Sequence, residues 1–313
     1  MNTSTHILHQ FPLSLGDEIK EDVVVINNDI FTSIFNYLLK EDRNKIAQPN
    51  LIIGESGSGK TSLLKRIYFS IENSGKQLKP VFIDGKSLFS TDDIWKFCPM
   101  LDDSSRTVLL IDNIQYYFER TENAEQYNLR GKLNKASAPI LIATADKVLP
   151  AFTDYDSAFF EGFKISYIRP LSISDYSMFV GHKTDMNRLE KVISYLPKTP
   201  RSVLIAAKII KDSISPEMDI MLLIDYFSFY YQEKYDSYVA QIQRILPAIA
   251  KSKNGVSLQD IRQMINQDNG KISPYLKLMA DRKIIDKTSK TQRRSIYTIA
   301  DPLFRLWLQK NIP

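Results

Sequence analysis

The sequence predicts an α/β fold for residues 1–170, then a helical domain over 171–238 and a mixed module of helices and strands over 239–313. Short apolar runs alternate with helical patterns up to residue 170, and the strand patterns then stop until the last quarter of the chain. Runs that are apolar at every position are typical of strands covered on both faces, as in a parallel sheet between two layers of helices.

Three segments of the first region, at residues 80–84, 107–112 and 139–145, are such short apolar runs. Residues 49–53 also read as a strand, and residues 163–168 are the candidate for the last strand of the sheet. After the strand at 49–53, Leu63, Leu64 and Ile67 recur at helical spacing and predict a helix over 61–73. Strands and helices that alternate in this way build a parallel sheet with helices on its faces.

The segment between that first strand and helix matches the phosphate-loop pattern GxxxxGK[ST] in full. Its glycines let backbone N–H groups turn toward a phosphate, and the start of the helix adds partial positive charge. We expect Lys60 to reach the β and γ oxygens of a nucleotide and Thr61 to bind Mg²⁺ through its hydroxyl. The expected nucleotide-binding residues are Gly54, Glu55, Ser56, Gly57, Ser58, Gly59, Lys60, Thr61 and Ser62.

An acid ends another of the apolar runs. Residues 108–112 read Val-Leu-Leu-Ile-Asp, and a carboxylate at the end of such a strand holds Mg²⁺ through its water shell in phosphate-loop proteins. The alternative is an ordinary buried strand. With a phosphate loop in the same chain, we expect Asp112 to form the metal site together with Thr61.

Helical patterns at 172–182, 187–196, 201–212 and 218–238 predict the second domain. Aromatic residues crowd the end of the last pattern, which reads YFSFYYQEKYDSY over 226–238. Such a stripe either packs in a core or stacks single-stranded bases. Both interpretations stay open at this point, and the core is the commoner one.

The last quarter predicts a winged helix. A helix capped at Ser257, a turn at 267–270, a second helix capped by Ser273 and Pro274, and two strands around a basic tip follow in order. In such a module the second helix enters a major groove and the wing reaches the DNA backbone. The candidate DNA contacts are Tyr275, Lys277, Lys290, Arg293 and Arg294. Winged helices also serve as protein-interaction domains, which is the alternative.

The distribution of charge favours DNA. Residues 241–313 contain 14 Lys and Arg against five Asp and Glu, a net of +9, while residues 1–240 contain 27 against 31, a net of −4. A basic module on a mildly acidic body is the asymmetry expected of a nucleic-acid-binding appendage. A solvated charged face is the simpler explanation.

Composition excludes several classes of protein. A single cysteine rules out an internal disulfide framework, and three scattered histidines leave no zinc-ligand spacing. The sequence shows neither a secretion signal nor an apolar run of the ~18 residues that span a bilayer. We therefore expect a cytoplasmic protein without a membrane partner.

Taken in order, these motifs resemble the archaeal-type ATPases of the STAND class, relatives of the AAA+ origin-recognition initiators. The resemblance covers residues 20–310. Beyond the phosphate loop it is carried by VLLIDN (108–113), ILIATA (140–145), RPLS (169–172), KTPRSVL (198–204) and YTIADPLFRLW (297–307). It implies a RecA-like core, a helical lid and a winged helix, with ATP and Mg²⁺ as ligands.

The resemblance also implies roles for three residues. Thr144, at a strand end, stands where the fold carries a γ-phosphate sensor, and Arg201, at a helix start in the lid, stands where a cation reads the nucleotide. A strand-end threonine and a surface arginine are the simpler readings. Asn113 occupies the place of the acid that polarises the attacking water, and an amide cannot accept that proton. We therefore expect a slow ATPase.

Two functional hypotheses follow from the sequence. In the first, ATP closes the lid and positions the winged helix on duplex DNA. In the second, the chain is a signalling or assembly ATPase whose winged helix contacts a protein partner, another copy of the chain or the chain's own core.

Overall fold

The protein is described from a computed structural model that covers residues 27–40, 42, 44–98, 105–180, 184–291 and 294–312, without the side chains of residues 289–291 and of Arg294. The chain divides into two compact units. Unit 1 comprises Met1–Asp175 and Thr199–Arg201, and unit 2 comprises Tyr176–Lys198 and Ser202–Pro313. Within the described ranges, no helix has the length and apolar character that crossing a membrane requires.

Unit 1 is built from alternating strands and helices. Its strands are β1 (Asn50–Ile53), β2 (Leu78–Asp84), β3 (Arg106–Asp112), β4 (Ile140–Ala145) and β5 (Lys164–Tyr167). Its helices are α1 (Asn28–Leu39), α2 (Lys60–Glu72), α3 (Thr91–Lys96), α4 (Gln115–Arg120), α5 (Asn123–Leu133) and α6 (Pro150–Thr153), and α7 (Ile173–Tyr176) spans the boundary to unit 2.

The five strands form one parallel sheet in the order β2-β3-β4-β1-β5. Every residue of β1, β3 and β4 is buried, whereas β2 and β5 at the edges are partly exposed. This matches the prediction of inner strands covered on both faces. The order places β4 between the strand that precedes the phosphate loop and the strand that ends in Asp112.

Alternate strand residues pack on opposite faces of this sheet because successive side chains of a strand point to opposite sides. On one face Ile52, Leu110 and Ile142 pack with side chains of α1 and α2. On the other face the neighbouring residues Leu51 and Leu109 pack with side chains of α4, α5 and α6. Unit 1 is therefore a three-layer α/β structure, as the apolar runs predict.

Unit 2 is mainly helical. Its helices are α8 (Met186–Ile193), α9 (Pro200–Asp212), α10 (Pro216–Tyr226), α11 (Ser228–Asp236), α12 (Ala240–Ala250), α13 (Leu258–Ile265), α14 (Asn269–Asp281) and α15 (Pro302–Asn311). The first residues of α9 belong to unit 1. A three-stranded antiparallel sheet in the order β6-β8-β7 completes the unit, from β6 (Val256–Ser257), β7 (Ile285–Thr291) and β8 (Arg294–Ile299).

A buried ion pair joins α8 to α10. The guanidinium of Arg188 donates to both carboxylate oxygens of Asp219, at 2.9 and 2.6 Å, and Asp219 is 1% exposed. This partner keeps the pKa of Asp219 below its usual range although burial acts in the opposite direction. A two-point contact fixes orientation as well as distance, so the pair sets how α8 and α10 cross.

The aromatic stretch of residues 226–238 has two faces. Tyr231 is buried, stacks on Phe304 of α15 at 5.2 Å and donates its hydroxyl to Asp301 at 2.9 Å. Tyr226, Phe229 and Tyr230 are exposed. The stripe is thus partly core, and its chain is two helices that meet at Phe227 rather than the single helix predicted for 218–238.

The C-terminal elements of unit 2 follow the predicted order of helix, helix and hairpin. The prediction that Ser273 and Pro274 cap the second helix is wrong, because α14 begins at Asn269 and Pro274 lies inside it. Proline lacks one N–H, so this helix forgoes one internal hydrogen bond in its second turn. Ile272, Leu276 and Met279 are its buried face.

Candidate nucleotide-binding site

The loop between β1 and α2 depends on two glycines. Gly57 and Gly59 have φ of 79° and 94°, in the left-handed region where side chains other than glycine are strained. A Cβ on Gly57 would also lie 2.8 Å from the Cβ of Arg201, within unit 1. The conformation of the loop therefore requires glycine at both positions, of which Gly59 belongs to the GxxxxGK[ST] pattern and Gly57 does not.

Lys60 begins α2 and is only 7% exposed. Its ammonium donates to the carbonyl oxygens of Gly54 at 2.6 Å and Glu55 at 3.0 Å. Burial lowers its pKa from the usual value, while Asp112, Asp146 and Glu55, in decreasing order, act to raise it. A desolvated cation in a loop of this shape is suited to an anion.

Asp112 is the meeting point of the site. It ends β3, is 6% exposed, and accepts a hydrogen bond from Thr61 at 2.6 Å and from Thr144 at 2.5 Å, one on each carboxylate oxygen. Thr61 comes from α2 and Thr144 from β4. Three residues far apart in the sequence are thus joined directly, because the carboxyl ends of parallel strands share one edge of the sheet.

Asn113 lies next to this group in an unusual backbone conformation. Its φ is 58°, and its N–H donates to the hydroxyl of Thr144 at 3.0 Å. Asparagine is enriched in left-handed conformations, whereas a residue with a longer side chain is strained there. This conformation therefore disfavours glutamate at the position, whereas aspartate would be tolerated as asparagine is. The same turn approaches Gly85, whose Cβ would lie 2.4 Å from the Asn113 carbonyl oxygen.

Asn113→Ala is expected to destabilise the protein by about 1 kcal/mol, because alanine does not tolerate a left-handed conformation. Asn113→Gly removes the same side chain without that strain and is expected to cost less. Urea unfolding of the two variants measures the difference. Equal loss of stability in both variants would argue against backbone strain as the reason for asparagine here.

The loop has further features that fit a phosphate group. Gly59 occupies the N-cap of α2 and offers no side-chain cap, so the first N–H groups of this 13-residue helix lack that acceptor. Ser58 is buried, and its hydroxyl has no hydrogen-bond partner among the described residues. These hydrogen-bond donors lack acceptors and lie around a buried ammonium group. An anion with several oxygens would accept hydrogen bonds from them.

The fit to Mg²⁺ rests on Thr61 and Asp112. No group of three or more His, Cys, Asp or Glu side chains that would hold a metal exists in the described part of the chain. Mg²⁺ is commonly held by one or two carboxylates together with substrate phosphates and water. One hydroxyl and one carboxylate beside a phosphate loop are compatible with that mode.

The other predicted residues of this site are placed as follows. Glu55, Ser56 and Ser62 are exposed. Arg201 is exposed and belongs to unit 1, where its N–H donates to the carbonyl of Gly57 at 3.3 Å. One residue that the sequence did not single out also lies at this edge. Asp146 directly follows β4, and its only sequence signal is an acid after an apolar run.

The predicted DNA contacts lie in unit 2. Tyr275 is half-buried and Lys277 is exposed on α14. β7 and β8 form the predicted hairpin, with Thr291 opposite Arg294. Arg293 lies outside the described residues, as do the side chains of Lys290 and Arg294.

No protein-family model matches this sequence, and no curated protein matches it either. Solved structures do. The ORC1 protein of Aeropyrum pernix in complex with DNA aligns with a TM-score of 0.56 at 11% identity, over 92% of this chain and 94% of that one. A Walker-type ATPase of Pyrococcus abyssi aligns with a TM-score of 0.56 at 14% identity, over 94% and 99%. Drosophila ORC bound to DNA aligns with a TM-score of 0.50 at 13% identity, over 95% and 94%.

Identities this low establish fold and nothing finer. The chain has the fold of the origin-recognition type of AAA+ ATPase, with a RecA-like core whose parallel sheet has the order β2-β3-β4-β1-β5. The predicted fold class and the predicted resemblance to origin-recognition ATPases are confirmed at that level.

Proposed function

We propose that this protein is an ATPase that binds ATP and Mg²⁺ in its phosphate loop and acts as a nucleotide-dependent switch on duplex DNA. The observation that carries the proposal is the direct hydrogen bonding of Asp112 to Thr61 and Thr144 beside the buried ammonium of Lys60. These side chains come from α2, β3 and β4, and they meet directly beside the phosphate loop.

In this proposal each residue has a distinct task. Lys60 and the N–H groups at the start of α2 neutralise the β- and γ-phosphates. The Thr61 hydroxyl and the Asp112 carboxylate hold Mg²⁺, which when bound withdraws charge from the phosphate oxygens. Thr144 keeps Asp112 in place and links it to the backbone of Asn113. We assign to Thr144 the response to the γ-phosphate, through its contact with Asp112.

We assign to Arg201 the role of the nucleotide-dependent switch. Its backbone is tied to Gly57 of the phosphate loop, and its side chain is exposed. A guanidinium that pairs with the γ-phosphate would make the conformation of the start of α9 depend on whether ATP or ADP is bound. ATP and ADP differ by one phosphate, so a contact of this kind discriminates between them.

Duplex DNA is the proposed partner of the C-terminal elements, which we interpret as a winged helix. Their net charge of +9 over residues 241–313 supports an electrostatic contact with phosphates. Two of the similar structures, ORC1 of Aeropyrum pernix and Drosophila ORC, are DNA complexes. We place Tyr275 and Lys277 of α14 in the major groove, and Lys290, Arg293 and Arg294 of the hairpin against the backbone.

The double substitution Arg293→Ala/Arg294→Ala is expected to weaken duplex binding for every DNA sequence. Loss of about two phosphate contacts should also flatten the plot of log affinity against log salt by roughly 2 in slope. Fluorescence anisotropy with labelled duplexes between low and physiological salt measures both effects. Lys251→Ala/Lys253→Ala removes exposed charge from the same region outside α14 and the hairpin, and is the matched control.

Absence of duplex binding at low salt would exclude the DNA role. The second candidate, an assembly or signalling ATPase whose C-terminal elements contact protein, would then be favoured. One observation supports that candidate: Ile214, Met218, Met221 and Phe229 of the α10–α11 region are exposed apolar side chains. ATP turnover with and without duplex DNA separates the candidates further, because only the first expects DNA to alter the rate.

A further inference from the structure

The acid that activates the attacking water is missing from its usual place after β3, where Asn113 stands in a left-handed conformation. If the protein hydrolyses ATP, another group at the same edge of the sheet must orient that water. We propose that Asp146 is this catalytic residue and that its carboxylate accepts the proton of the attacking water. The inference rests on the proposed ATPase function and deepens it.

The position of Asp146 follows from the order of the strands. β4 lies between β1, which leads into the phosphate loop, and β3, which ends in Asp112. The carbonyl of Ala145, the last residue of β4, accepts a hydrogen bond from the N–H of Gly54 at 3.2 Å. Thr144, one residue earlier, binds Asp112. The end of β4 is therefore hydrogen-bonded to the phosphate loop on one side and to Asp112 on the other. Asp146 is the first residue after that strand end.

The carboxylate of Asp146 is exposed and engaged by no hydrogen bond or ion pair in the described ranges. Its charge nevertheless acts on the ammonium of Lys60, more strongly than that of Glu55, which belongs to the loop itself. An acid that is close to the phosphate-binding lysine and free of protein partners is available to a water molecule.

The other acids at this edge are less suited to the task. Asp84 ends β2, with β3 between it and β4, and its carboxylate accepts from the N–H of Lys86 at 3.1 Å. Glu119 pairs with Lys147 at 3.0 Å. Asp112 has a hydroxyl on each oxygen. Glu55 is exposed and its carboxylate also lacks a partner among the described residues, but it lies on the loop itself and acts on Lys60 less strongly than Asp146 does. Asp146 is thus the acid that follows a strand at this edge and whose oxygens are uncommitted within the described residues.

The reaction balances as a simple hydrolysis. The oxygen of water forms a bond to the γ-phosphorus, and its proton passes to the Asp146 carboxylate. The bond from the γ-phosphorus to the bridging oxygen breaks, and its electron pair stays on the β-phosphate of ADP. Asp146 then releases the proton to solvent, so that ATP and water become ADP, phosphate and a proton.

The test compares Asp146→Asn with Asp84→Asn as the matched control, because both remove one charge from a strand end at the same edge. Single-turnover hydrolysis should fall about a hundredfold or more in Asp146→Asn, the usual contribution of a general base. Affinity for a non-hydrolysable ATP analogue relative to ADP should rise several-fold, because a negative charge near the γ-phosphate is lost. Asp84→Asn should change neither quantity by more than about twofold. Asp146→Glu should restore part of the turnover.

Wild-type turnover in Asp146→Asn would overturn the proposal. So would loss of analogue binding together with turnover, which would mark Asp146 as structural. A wild-type protein that binds ATP without hydrolysing it would also overturn the role of Asp146 while leaving nucleotide binding intact. A wild-type protein that binds no nucleotide would refute the proposed function itself.

Discussion

Lys60→Ala is expected to lower affinity for ATP by a factor of about 30 to several thousand. The ammonium is buried, and removal of one partner from a buried charged hydrogen bond costs roughly 2–5 kcal/mol. Each 1.4 kcal/mol is about a factor of ten in affinity. Titration of the variant with a fluorescent ATP analogue measures the loss. ADP affinity should also fall, since Lys60 is placed against the β-phosphate as well as the γ-phosphate.

Lys65→Ala is the control for this experiment. Lys65 lies on the same helix, less than two turns further on, so the variant loses the same charge outside the loop. Its affinity should stay within about twofold of wild type. Because Lys60 donates to two loop carbonyls, unfolding curves of both variants must show that the loop substitution leaves the protein folded. Unchanged ATP affinity in a folded Lys60→Ala protein would refute the nucleotide site.

Trp307→Ala is expected to destabilise unit 2 by about 3–5 kcal/mol, the usual cost of truncating a fully buried tryptophan. Trp307 is 0% exposed, stacks on Phe304 at 5.9 Å and lies 6.0 Å from the ring of Tyr235. Its indole N–H donates to Ser228 at 3.0 Å. Removal of this side chain leaves a cavity where α11 meets α15. Urea unfolding followed by circular dichroism measures the loss.

Trp307→Phe isolates the ring from the hydrogen bond. Phenylalanine keeps much of the stacking area, and the half-buried Ser228 can bond to water, so the cost should be clearly smaller than that of alanine. The chain contains two tryptophans, and in either variant Trp95 of unit 1 remains as a fluorescent reporter. A Trp307→Ala protein as stable as wild type would mean that the aromatic cluster does not hold α11 to α15.

The sheet of unit 1 could be predicted from the sequence because its inner strands are buried on both faces. Such strands read as uninterrupted apolar runs, and the predicted 107–112 differs from the observed β3 (Arg106–Asp112) by one residue. Strand order was not predictable in the same way, because it depends on pairing between distant segments. The position of β4 between β1 and β3 is a product of that pairing, and the proposal for Asp146 depends on it.

The site residues that could be predicted are those whose residue type is dictated by local chemistry. The loop glycines, Lys60 and Asp112 belong to patterns with a physical reason that is visible in sequence. The left-handed conformation of Asn113 was not visible, since it arises from the tight approach of its turn to Gly85 and from its contact with Thr144. A sequence reading therefore treats asparagine as a missing acid and overlooks its backbone role.

Helix limits in unit 2 were less predictable because tertiary contacts decide them. Nothing in the local sequence around Phe227 ends a helix, yet α10 stops at Tyr226 and α11 turns so that Tyr231 faces α15. The local preference of Pro274 is for the first turn of a helix. The helix α14 nevertheless begins before Pro274, and Ile272 in this earlier turn is buried in the core. Packing outweighed propensity at both positions.

The edges of the parallel sheet bear on how the protein behaves at high concentration. The backbone carbonyl of Gln77 accepts a hydrogen bond from the N–H of Arg106 in β3. The backbone groups of successive strand residues point to opposite sides, so those of Pro80 in β2 point away from β3, toward the open edge of the sheet. A strand from another molecule would find no N–H to pair with at that point. At the opposite edge β5 is only four residues long and begins with an exposed lysine. Both edges thus discourage aggregation by strand addition, which an open sheet of five parallel strands would otherwise invite.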